Sequence, residues 1–140
     1  MIDAADVAQQ LVAAERERKS IGQFSDAHPD FDLATAYQAQ RLFIDAKLDA
    51  GEKFVGWKLG LTSRNKQQAM GVDAPLYGLV TSGMLATFGD PVRLDRFIHP
   101  RVESEIAFLL ARDVEAPATV TSVLAATDVV FGAVDVLDSR

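Results

Sequence analysis

The sequence predicts an α+β fold, and three observations predict it. Two stretches with the apolar spacing of amphipathic helices open the chain, segments rich in β-formers and glycine follow from Phe54 onward, and the helical connections among those segments are short. That order suits helices segregated from strands rather than a regularly alternating parallel sheet.

The first helix is expected from about Ala4 to Lys19, where Val7, Leu11 and Val12 recur among polar and alanine positions. Its tail, Arg16 to Lys19, places positive charge in the last turn, where it complements the helix dipole. A polar loop with His28 and Pro29 leads to a second helical stretch carrying Leu33, Tyr37, Leu42, Phe43 and Leu48, with Asp32 as N-cap and Gly51 as stop. FVGWKLGLTS then reads as a strand ending at Thr62 or Ser63, and Ser63 caps a short helix closed by Gly71. Short strands in APLYGLVTSGML and a turn at Gly89, Asp90 and Pro91 precede a strand from about Arg101 to Leu110. After a loop around Pro117, TVTSVLAATD suits a short capped helix and VVFGAVDVLDSR a last strand. Ending directly after an apolar strand, the chain is expected to lack neighbours for that strand.

Composition narrows the function classes. At 140 residues, 49% apolar and 24% charged, the chain is one ordinary globular domain's worth of material. The absence of cysteine removes disulfides and thiolate metal sites. A net charge of -6 argues against nucleic acid, whose phosphates need a basic field. No apolar run reaches membrane-spanning length and the N-terminus has no signal-peptide pattern, so a cytoplasmic location is expected.

The strand HPRVESEIAFLLARD holds the candidate chemistry. Alternation puts Glu103 and Glu105 on one face, and if the last strand lies alongside, Asp135 joins them. Three carboxylates of one sign repel unless a cation neutralises them, and an all-oxygen set suits a hard divalent ion, Mg²⁺ or Mn²⁺. By spacing alone, glutamates at alternate strand positions are more often a solvated sheet face. Lys58, in GWKLG, offers an ammonium for proton transfer if buried, or a lysine on a wet strand face with its stem over Trp57. His28 and His99 have no nucleophile arrangement around them, and Gly56 and Gly60 complete no phosphate-loop pattern.

Taken together, GWKLGLTS, MGVDAPLYG, HPRVESEIAF, LAATD and VDVLDSR resemble, in order and approximate spacing, the 2-keto-4-pentenoate hydratase and 4-oxalocrotonate decarboxylase family, related to fumarylacetoacetate hydrolase. The resemblance implies N-terminal helices over 1–53 and, over 54–140, the first part of a β-rich catalytic domain with a mixed sheet or β-roll of the fumarylacetoacetate hydrolase type. Both belong to a single domain overall, incomplete at the C-terminus because family members are longer. It implies that Glu103, Glu105 and Asp135 hold Mg²⁺ or Mn²⁺ and that Lys58 stands beside the substrate. Asp135 departs from the family's usual glutamate by one methylene, which puts direct ligation in doubt.

The hydratases resembled here tend to carry an acidic residue where this chain has Leu76, and the apolar side chain is closer to the decarboxylases. The implied reaction is metal-dependent decarboxylation of 2-oxo-3-hexenedioate to 2-hydroxypenta-2,4-dienoate and CO₂ in aromatic meta-cleavage catabolism. Loss of CO₂ leaves a carbanion to be delocalised into an enolate, for which a divalent cation at the 2-keto oxygen is the electron sink. Leu76 would wall the substrate pocket and exclude water. The alternatives are the hydratase of the same family and a truncated, non-catalytic binding or assembly module. The implied partners are a small 2-oxo dicarboxylic acid, further copies of the chain in a homo-oligomer, and in some cases a hydratase.

Overall fold

A computed structural model describes residues 2–140, which form two compact units, one running through Arg96 and taking in Arg140, the other comprising Phe97–Ser139.

The first unit opens with helix α1, Ala4–Glu17, whose N-cap Asp3 accepts the Asp6 amide at 2.8 Å. It stops two residues earlier than the sequence predicts because Arg18 turns left-handed, at φ 54°. A four-residue helix, α2, Phe24–Ala27, interrupts the expected loop, its Phe24 ring 5.7 Å from Phe31. Helix α3, Leu33–Asp49, starts at Asp32, which accepts the Thr35 amide at 2.8 Å, and is followed by Gly51 at φ 97°. The two long helices pack through Ala4, Val7 and Ala39 in one cluster and Ala8, Phe43 and Ile44 in another. Burying a side chain such as Val7 or Ile44 is worth about 1.5–3 kcal/mol, against about 1 kcal/mol for a helix cap, so packing dominates.

Strand β1, Phe54–Gly60, pairs antiparallel with β2, Leu76–Thr81. It ends before Thr62 because Leu61 adopts φ 52°, and its carbonyl accepts the Gln67 side-chain amide at 2.7 Å. Gln67 lies on α4, Arg64–Ala69, capped by Ser63 as expected. Tyr77 of β2 stacks on Tyr37 of α3 with ring centroids 4.4 Å apart, and Leu79 packs against the Phe43 and Ile44 cluster. These contacts carry the first compact unit well past residue 53.

In the second unit β3, Arg101–Leu110, pairs antiparallel with β4, Thr127–Leu137. Between them lies α5, Val120–Ala126, opened by a reciprocal capping box of Thr119 and Ser122. The helix yields to strand at Thr127, whose backbone is already extended, earlier than the sequence pattern suggests. One face of this pair is apolar and open, with Val102 and Ile106 each 70% exposed.

Helices with sheet make the fold α+β, as expected. The expected mixed sheet is not formed among the described residues: both sheets are two-stranded and antiparallel. Among the described residues no helix is long and apolar enough to cross a membrane.

Candidate metal centre

Register decides where the three carboxylates go. Glu103 stands directly opposite Asp135, and Glu105 stands opposite Ala133, two positions along the same face. An oxygen from each carboxylate lies within 4.8 Å of the other two. Glu103 is exposed, whereas Glu105 and Asp135 are half-buried. The methyl group of Ala133 across from Glu105 leaves room on that face which a longer side chain would fill.

The donor set fits a hard divalent ion. Two oxygens on one Mg²⁺ are at most roughly 4.2 Å apart, and two on one Ca²⁺ roughly 5 Å, twice the respective metal–oxygen distances. The separations lie inside the calcium limit, and a magnesium ion would require the oxygens to draw closer. With three side-chain ligands an octahedral ion retains positions for water or for a chelating substrate.

Lys58 lies on β1 opposite Gly78, and alternation sets Gly56 and Gly60 on its two sides along the strand. Three of its same-face neighbours therefore have no side chain. Lys58 is half-buried, and its Nζ donates to the Leu59 carbonyl at 3.3 Å. Leu76 sits one diagonal step away on the same face, opposite Gly60. It helps to line a shallow cavity of about 190 Å³ with Leu33, Tyr37, Gln40 and Tyr77.

A larger cavity, about 390 Å³, lies among the helices beside Glu15, Phe43 and Lys47 and contains none of the predicted site residues. There Glu15 receives both Lys47 and Arg140 at 2.5 Å. Burial alone would push the Glu15 carboxyl up, but hydrogen bonds from Lys47 and Arg140, together with their charges, hold it below its ordinary value. The larger volume does not make this the better site, since an acid saturated by two cations is a structural tie.

Sequence reading passes over Asp138, whose carboxylate accepts the backbone N–H groups of Ile98 and His99. The available signal was Pro100, which has no N–H to continue a ladder and so requires another arrangement at that end.

No protein-family model matches the chain. Curated relatives do: it is 36% identical, over 96% of its length and 51% of the relative's, to a 2-oxo-hept-4-ene-1,7-dioate hydratase of Escherichia coli. The same identity and shares hold for a 4-oxalocrotonate decarboxylase of Pseudomonas sp. strain CF600. Among solved structures, the 4-oxalocrotonate decarboxylase of Pseudomonas putida G7 complexed with calcium and acetate superposes with a TM-score of 0.91 at 32% identity, covering 96% of this chain and 52% of that one. The same enzyme complexed with magnesium and adipate gives a TM-score of 0.90. Over nearly its whole length the chain is similar to the N-terminal part of 4-oxalocrotonate decarboxylases and 2-keto-4-pentenoate hydratases. It spans about half the length of the curated relatives it matches. Among these relatives, a hydratase and a decarboxylase match it at the same 36% identity, so overall similarity does not separate the two reactions.

Proposed function

We propose that this chain carries the metal-binding part of a lyase that decarboxylates 2-oxo-3-hexenedioate to 2-hydroxypenta-2,4-dienoate and CO₂ in aromatic meta-cleavage catabolism. The observation that carries this reading is the convergence of Glu103, Glu105 and Asp135, with oxygens within 4.8 Å of one another. Mg²⁺ or Mn²⁺ is the proposed ion. The calcium and magnesium complexes of the P. putida decarboxylase support a divalent one. Bound here, such an ion supplies the positive charge that favours the enolate form of a 2-oxo acid.

The chain's own residues take the remaining roles. Lys58, in its glycine surround, orients the substrate and moves the proton that completes the dienol. Leu76 gives the pocket an apolar wall that disfavours a carboxylate and water. In the reaction the bond from C5 to the distal carboxylate breaks and CO₂ leaves. The electron pair moves through the C3–C4 double bond to the 2-keto oxygen, where a proton is taken up. The two antiparallel pairs are proposed as parts of a β-roll of the fumarylacetoacetate hydrolase type, within one catalytic domain of a cytoplasmic homo-oligomer that associates with a hydratase.

The equal identity to a hydratase favours a second reading, addition of water to 2-hydroxypenta-2,4-dienoate. A third reading is a binding or assembly module without turnover. Supplying each substrate separately with Mg²⁺ tests all three. Release of CO₂ from 2-oxo-3-hexenedioate supports the decarboxylase, formation of 4-hydroxy-2-oxopentanoate supports the hydratase, and Mg²⁺ binding without either product supports the module.

A further inference from the structure

We infer that Asp138 is a positioning residue for the carboxylate site, a role that rests on the metal-binding reading above. The ladder between β3 and β4 ends at the pair Arg101 and Leu137, two steps from the pair Glu103 and Asp135. It cannot continue through the next residue of β3, because Pro100 has no N–H. The Asp138 carboxylate takes over where the backbone stops. Its Oδ1 accepts the Ile98 N–H at 3.0 Å and the His99 N–H at 2.6 Å, and its Oδ2 accepts the Ile98 N–H at 2.9 Å.

Strand ends fray unless tied, and fraying at this end would separate the carboxylates. Glu103 and Asp135 stand face to face with Glu105 beside them, so the spacing of the two strands sets the spacing of the three side chains. Charge-assisted hydrogen bonds donated to a half-buried carboxylate are the stronger kind, and they clamp the mouth of the hairpin. The clamp sets the spacing of the ligands before an ion arrives, and preorganisation of this kind is worth affinity.

The test is calorimetric titration of the 140-residue chain with Mg²⁺, as wild type, Asp138→Ala and Asp138→Asn. Loss of the clamp in Asp138→Ala is expected to weaken Mg²⁺ binding about tenfold or more, the range of lost supporting contacts around metal ligands. Asp138→Asn keeps an acceptor oxygen for both N–H groups and is expected to recover most of that loss. Equal weakening in the two variants would mean that only the negative charge matters and would overturn the positioning role, as would wild-type affinity in Asp138→Ala. Absence of Mg²⁺ binding to the wild type would instead remove the metal reading itself. Amide exchange on the wild type, which does not depend on a variant folding, is the second measurement: Ile98 and His99 are expected to be protected, and loop-like exchange there overturns the inference.

Discussion

Glu103 of β3 and Asp135 of β4 are direct cross-strand partners, two negative charges where a sheet ordinarily pairs opposite charges or apolar groups. Like charges directly opposite each other are destabilising, a cost on the scale of one cross-strand pair, about 0.2–1 kcal/mol.

From that cost comes a test with opposite signs in two conditions. Glu103→Gln is expected to raise the stability of the metal-free chain by about 0.2–1 kcal/mol, by relieving the repulsion. The same variant should lose the stabilisation that Mg²⁺ confers, about 2.7 kcal/mol at a hundred times the dissociation constant. Thermal unfolding with and without Mg²⁺ reads both. A variant less stable without metal and still stabilised by it would show Glu103 to be an ordinary surface residue.

How much of this was legible beforehand follows from which residues carry local rules. The strand Arg101–Leu110 emerges with the bounds that its alternation predicts, and Asp32, Ser63 and Thr119 cap helices because a short oxygen-bearing side chain beside an apolar run has little else to do. The carboxylate cluster required one further assumption, that β3 and β4 are neighbours, and the register bears it out. Long-range ties were not legible. Nothing near Glu15 in sequence announces Lys47 and Arg140, and Pro100 signals only that the ladder stops near Ile98, not that Asp138 takes over, since such pairs arise only when distant segments pack. The left-handed residues Arg18 and Leu61, which end α1 and β1 early, also have no signature, because non-glycine residues seldom adopt that conformation.

Lys58 is predicted to separate chemistry from metal binding. Lys58→Ala is expected to cut turnover of 2-oxo-3-hexenedioate by about 100-fold or more, the usual scale for losing a general acid or base. Mg²⁺ affinity should stay within about twofold of wild type, since the carboxylates that would supply it lie on other strands. Steady-state rates and calorimetry on the same preparations check the split, and a parallel loss of both would deny Lys58 a proton role.

Acid sensitivity is expected at Glu15. Its carboxyl titrates below the ordinary value of 4.5 in the folded chain because Lys47 and Arg140 outweigh the effect of burial. Around that pH the unfolded chain then binds more protons than the folded one, so stability rises with pH. The contribution is complete above the ordinary value and is lost as pH falls through the lowered one. Glu15→Gln should lower stability at neutral pH and flatten its dependence below pH 4.5. Urea unfolding at a series of pH values gives the slope, and an unchanged slope would mean the ion pairs do not hold the carboxyl down in solution.

Gly83 is constrained by Glu52. That carboxylate accepts the hydroxyl of the fully buried Thr81 and the Gly83 N–H at 3.1 Å, tying the start of β1 to the end of β2. A Cβ at Gly83 would stand 2.5 Å from Glu52 Oε2 and 2.6 Å from its carboxyl carbon. The Glu52 side chain is flexible enough to swing away, but only by abandoning Thr81, whose buried hydroxyl then loses its partner. Gly83→Ala is therefore expected to cost about 1–3 kcal/mol, the penalty for a buried polar group left unsatisfied rather than for a rigid clash. A double-mutant cycle distinguishes the two causes: in a Glu52→Ala background the substitution should cost almost nothing, because the group it displaces is already gone. If the penalty persists there, backbone strain at position 83 is its source and the Glu52 tie is not.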